Sequence, residues 1–187
     1  MLEEAIQVVR GLWEGPDGWS FSGAHYQVEG AVFHPKPDPR LHLILGGGGS
    51  PRSMRLAARY ADEFNVTSAE PGQIAEKYTY LDGACRAIER DPASLVHSAM
   101  IGVLVGRDEE ELRRREVDLL EAIGAEEAAD DWFAERRARW IIGTPDAARE
   151  AVRRFEAVGV ERIMLQDFLP HDLEMIDVMG AELLGRV

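Results

Sequence analysis

A single cysteine, Cys85, leaves no intramolecular disulfide in a chain of 187 residues, so nothing marks an oxidising compartment. No stretch approaches the ~18 uninterrupted apolar residues of a membrane span, which argues against a spanning helix. Positive charge is also scarce. Lys and Arg number 21 against 34 Asp and Glu, a formal charge of −13, and a field of that sign repels nucleic acid and anionic lipid surfaces. One local basic site could still hold a single phosphate. The catalytic signatures GxSxG, CxxC and HxxxH are missing, and the five histidines show no metal-ligand spacing. Cys85 falls on the apolar stripe of a helix, where a cysteine belongs to the core. Chemistry by this chain therefore points to a bound cofactor, with no metal and no catalytic side chain identified. The length itself falls short of the ~250 residues of a complete eight-unit parallel α/β barrel.

What is present is regular. Leu2, Ile6, Val9 and Trp13 recur at helical spacing, and Gly15-Pro16-Asp17-Gly18 stops that helix. Acids at positions 3 and 4 stand where a signal peptide would carry basic residues, so a cytoplasmic protein is expected. Aromatic and β-branched residues with Gly23 and Gly30 predict a hairpin over 19–33, and a proline at every second position makes 34–39 extended. Short apolar runs near 41–45, 63–66, 95–105 and 160–166 then alternate with helices over 51–60, 72–90, 144–158 and 171–185. Two further polar helices are expected near 108–123 and 126–139. Four alternations of strand and helix are the pattern of βαβ units around a parallel sheet, expected here as a single domain over 1–187.

The sharpest local feature is Gly46-Gly47-Gly48-Gly49-Ser50-Pro51-Arg52, a strand passing through four glycines into a helix. Glycines allow close approach of backbone to ligand, and Ser50 with Pro51 suits the cap and first helical position. The free N–H groups of that helix end then face the turn, the geometry that binds phosphate, and Arg52 and Arg55 can add full charges at the same end. The spacing matches neither a P-loop nor the dinucleotide GxGxxG. A flexible turn is the plainer alternative. Asn65 and Gln166, at or near carboxyl ends of strands, can hydrogen-bond a substrate or merely cap loops. Trp132, Phe133 and Trp140 lie in an excursion over 124–140 that suits a substrate lid or an oligomer contact. Asp108-Glu109-Glu110-Glu111 followed by Arg113-Arg114-Arg115 offers three i,i+4 pairs and predicts a solvated helix face.

Four blocks in order, LEEAIQVVRGLW, FSGAHYQVEGAVFHPKPDPR, LILGGGGSPRSMRLAARYADEFN and IIGTPDAAREAVRRFEAVGVERIMLQ, resemble the second half of the bacterial luciferase-like family. The branch that uses coenzyme F420 is the more similar. The resemblance implies a partial (β/α)8 TIM barrel: about four carboxyl-terminal units behind a helix and a hairpin. It also implies hydride transfer or oxygen activation through F420, or FMN as the alternative, with Gly46, Gly47, Gly48 and Gly49 against the cofactor phosphate and Ser50 adjacent. The family's first four units, which supply the ring site and the acid/base residues, have no counterpart here. Two outcomes are expected of such a chain: an oxidoreductase that needs the missing half, or a non-catalytic remnant that binds a flavin phosphate or assembles through its open sheet. A homo-oligomer or a complementary half-barrel would cover that sheet. An aldolase-type half-barrel is a third possibility, disfavoured for a Schiff-base mechanism by the lack of a strand-end lysine.

Overall fold

The computed structural model describes residues 1–125 and 129–185. Helix α1 (Leu2–Glu14) precedes a hairpin of β1 (Trp19–Ser22) and β2 (Gln27–Ala31), which forms a separate two-stranded sheet. Next come β3 (Ile44–Gly47), α2 (Pro51–Tyr60), β4 (Glu63–Thr67) and α3 (Pro71–Arg86), then β5 (Val96–Val105) and α4 (Glu109–Ile123). The remainder is α5 (Ala129–Arg136), β6 (Ile141–Gly143), α6 (Pro145–Glu156), β7 (Arg162–Asp167) and α7 (Leu173–Glu182).

All five strands β3 to β7 run parallel. The sheet passes β3-β4-β5, and β7 pairs with the other edge of β5 from Ser98 to Val103. Strand β6 was not foreseen. At ten residues β5 outruns β4, whose pairing stops at Met100, and β6 pairs with the vacant end at Val103–Val105. Three residues, Ile141-Ile142-Gly143, are too few to show a period in sequence.

Strand β3 also begins later than expected, at Ile44 instead of 41. Its pairing with Glu63–Val66 carries it through Gly46 and Gly47, so two of the four glycines belong to the strand. Helix α3 stops at Arg86 rather than 90, and the first three residues of the expected helix over 126–139 lie outside the described residues.

Alternation divides the sheet into two faces. Phe64, Val66, Ala99, Ile101 and Val103 share one apolar cluster with Ala57 and Ala58 of α2, Ile74 and Leu81 of α3, and Ala148 and Phe155 of α6. The opposite face is the concave inner wall of a barrel. Its residues include Ile44, Glu63, Asn65, Ser98, Met100, Gly102, Met164 and Gln166, in register across β3, β4, β5 and β7. Deep in it Glu63 is fully buried, with Oε2 2.9 Å from His42 Nε2 and 2.6 Å from Arg162 Nη1. Among the described residues no strand pairs with the outer edge of β3 or with the free edge of β7.

Candidate functional site

Because the strands are parallel, their carboxyl ends share one rim, the position of ligand sites in parallel α/β folds. Three stretches of that rim follow β3, β4 and β7.

The turn after β3 is built by glycine conformations. Gly47 has φ +149° and Gly49 φ +79°, values an L side chain rarely adopts. A Cβ at Gly49 would stand 2.7 Å from Met54 Cε and 2.9 Å from Lys77 Cδ, so side chains from α2 and α3 lie over the turn there. Ser50 caps α2: its Oγ accepts from Ser53 N at 3.2 Å, and Pro51 occupies the first turn. Among the described residues the backbone N–H groups of Gly48, Gly49, Ser50 and Arg52 have no hydrogen-bond partner. Four free donors on a glycine turn at a helix N-terminus form a cradle for an anionic oxygen.

The structure thus places Gly46 and Gly47 at the carboxyl end of β3 and Gly48, Gly49 and Ser50 in the turn that follows directly. Arg52 is divided. Its N–H belongs to the cradle, whereas its side chain lines a groove between α2 and α3 with Arg55, Arg59 and Tyr80. Sequence reasoning missed Lys77, whose stem lies against Gly49 from a helix starting 22 residues later in the chain. A lone lysine on a polar helix carries no spacing signal.

Asn65 is buried on the inner wall beside Gly46 in register. Its Nδ2 donates to Ser98 Oγ at 2.9 Å and lies 3.4 Å from Met164 Sδ, which fixes its orientation. Gln166 stands on the same wall two strands away, half-buried, in register with Gly102. The indole of Trp140 fills the space a side chain at Gly102 would need, and it stacks on Phe168 at 4.9 Å between centroids. Trp132 meets both Phe133 and Trp140 edge-on, with Arg136 3.7 Å above its ring. The aromatic residues of the 124–140 excursion are thereby packed onto the barrel mouth beside β7.

The acidic-basic helix is only partly the solvated face expected. Arg115 is fully buried, held by Glu111 at 2.6 Å, by the Val105 carbonyl at 2.8 Å and by Asp172. Of the three i,i+4 pairs anticipated, Glu111–Arg115 is the one formed among the described residues. The same residues show no cluster of three metal-ligating side chains, and no helix long and apolar enough to cross a membrane.

A parallel α/β sheet with one face toward covering helices, an opposite inner wall and a glycine turn at its carboxyl rim is part of a (β/α)8 barrel. The family model for luciferase-like monooxygenases matches residues 1–162, and the chain belongs to that family. A curated relative, the phthiodiolone/phenolphthiodiolone dimycocerosates ketoreductase of Mycobacterium kansasii, is 27% identical over 96% of this chain but only 45% of its own length. Among solved structures, an F420-dependent secondary alcohol dehydrogenase in complex with an F420-acetone adduct superposes with TM-score 0.78 at 20% identity, covering 98% of this chain and 60% of that one. The oxygenating constituent of 3,6-diketocamphane monooxygenase of Pseudomonas putida, in complex with FMN, gives TM-score 0.69 at 16% identity over 98% and 62%. These two likenesses show the fold. The chain spans less than half the length of the curated relative and about 60% of the solved structures.

Proposed function

We propose that the chain, as one domain, is the phosphate-holding part of a cytoplasmic luciferase-like oxidoreductase that uses coenzyme F420, or FMN as the alternative. When bound, the cofactor's ring would supply hydride transfer or oxygen activation. This chain's part is to bind and orient. Gly46 to Gly49 let the backbone approach the phosphate, and Ser50 fixes the α2 terminus by capping it. The free N–H groups, including that of Arg52, receive the phosphate oxygens. Asn65 and Gln166 face the barrel interior where a small organic substrate would lie. One observation carries the reading: among the described residues four backbone N–H groups, of Gly48, Gly49, Ser50 and Arg52, are without a hydrogen-bond partner on the glycine turn and first helical turn at the barrel rim.

The test is hydride transfer from reduced F420, or turnover with reduced FMN, by the chain together with a polypeptide supplying the first four βα units. Activity above that of a Gly47→Asp control supports the reading. Equal activity of the two proteins contradicts it.

The second reading, a non-catalytic remnant that binds a flavin phosphate or assembles through its sheet, rests on the edges of β3 and β7, which no strand pairs among the described residues. Its occupant would be a second copy of the chain or a complementary half-barrel.

A further inference from the structure

Only two of the chain's 21 cationic side chains are lysines, Lys36 and Lys77; the other 19 are arginines. Lys36 is engaged, its Nζ donating to the Leu12 carbonyl at 2.9 Å. Lys77, half-buried on α3, has neither an ion pair nor a hydrogen bond among the described residues. That is unusual company in a chain with 13 more acids than bases, where most arginines have found a carboxylate or carbonyl.

The position of Lys77 explains why its charge is free. Its Cδ and Cε lie 2.9 and 3.0 Å from where a Cβ of Gly49 would stand, so the alkyl stem is laid across the glycine turn, with the ammonium one bond beyond Cε. A Cβ at position 49 would displace that stem. The guanidinium with the strongest claim to the turn by sequence, Arg52, lies instead in the α2–α3 groove with Arg55 and Arg59. The turn therefore has neutral donors from the backbone, and Lys77 is a full positive charge whose stem is packed against it.

We propose that Lys77 is the cation of the phosphate site: its ammonium neutralises the cofactor phosphate held by the N–H groups of Gly48, Gly49 and Ser50. This rests on the glycine turn being a phosphate site, and it adds a specificity. A lysine contributes a point charge that rewards the phosphorylated cofactor over the same ring system without phosphate.

The experiment compares binding of FMN with riboflavin, and of F420 with its phosphate-free chromophore, by fluorescence titration of wild type, Lys77→Met and Lys77→Arg. Methionine keeps an unbranched stem for Gly49, and a thermal melt of each variant verifies that it is folded. Wild type is expected to favour the phosphorylated partner of one pair by about tenfold, the size of one charge-assisted hydrogen bond. Lys77→Met should lose most of that preference and Lys77→Arg should keep part of it. The scarcity of lysine supplies a second readout. FMN or F420, but not the phosphate-free forms, should protect Lys77 from amine acetylation, with Lys36 as internal control. A wild-type preference that survives in Lys77→Met overturns the role of Lys77 and leaves the turn as the phosphate site. No phosphate preference in wild type overturns both.

Discussion

Arg115 and Asp172, 57 residues apart, form a two-point ion pair: Nε lies 2.6 Å from Oδ2 and Nη2 3.2 Å from Oδ1, with the guanidinium wholly buried. The third nitrogen, Nη1, donates to the carbonyl of Val105, the last residue of β5, and lies 2.6 Å from a Glu111 oxygen. Asp172 Oδ1 also accepts from Met175 N at 2.9 Å and so caps α7. One side chain thereby joins β5, α4 and α7 at the barrel rim.

Removing that guanidinium strands two carboxylates beside a buried strand end. Arg115→Met is expected to cost about 3–5 kcal/mol, as for other buried pairs broken from one side. Arg113→Ala, on the exposed face of the same helix, should stay within about 0.5 kcal/mol. Urea denaturation of both variants tests the contrast, and equal losses would contradict it.

Acid should act through the same pair and through His97. The hydrogen bond from Arg115 holds the Asp172 carboxyl below the usual carboxylate range, against the opposing effect of burial. Its contribution is present above the unfolded-state carboxylate pKa and is lost as pH falls through the lowered folded value. Burial lowers His97, outweighing Asp82 and Glu161, and the ring stacks on Tyr78 at 4.1 Å. A histidine kept neutral in the fold stabilises it above its unfolded pKa of about 6.5 and loses that contribution as pH falls below it. His97→Gln should therefore flatten the fall of the urea midpoint between about pH 7 and 5.5. An unchanged slope would show that His97 does not carry it.

Adjacent glycines of the turn should respond differently. Gly49→Ala places a side chain at φ +79° against Met54 and Lys77, and is expected to cost at least the ~1–2 kcal/mol of a left-handed non-glycine residue. Gly48→Ala meets nothing within 4 Å and has no positive φ, so its thermal midpoint should match wild type. Loss at position 48 equal to that at 49 would remove the structural reason for a glycine cradle.

How far the sequence reveals this arrangement differs residue by residue. Ser50-Pro51 marks the start of α2, and Gly159, at φ +90°, lies just past the end of α6, because caps and left-handed turns are local chemistry. The apolar run of β5 reads as a doubly covered strand because helices pack against Ala99, Ile101 and Val103 on one face and the indole of Trp140 lies over Gly102 on the other. Arg115 does not read as buried, since EEELRRR is the composition of a solvated helix and Asp172 is distant in the chain. Strand β6 exists only because β5 outruns β4. Lys77 is legible only when α3 is seen crossing Gly49.

The open edges have a solution consequence. Among the described residues β3 and β7 each present an unpaired row of backbone groups, and Ile44 is 40% exposed on the inner wall. The chain by itself is expected to self-associate in sedimentation and to bind a hydrophobic dye. A sharp 20.8 kDa monomer that unfolds cooperatively and binds no dye would contradict this.

The most direct test of the phosphate cradle is an amide chemical-shift titration of the chain with FMN and with F420. The N–H signals of Gly48, Gly49, Ser50 and Arg52 should move together along one saturation curve with one of the two, and should not move with its phosphate-free form. Shifts confined to other parts of the chain, or no shift at these four amides with either cofactor, would contradict the assignment of this turn.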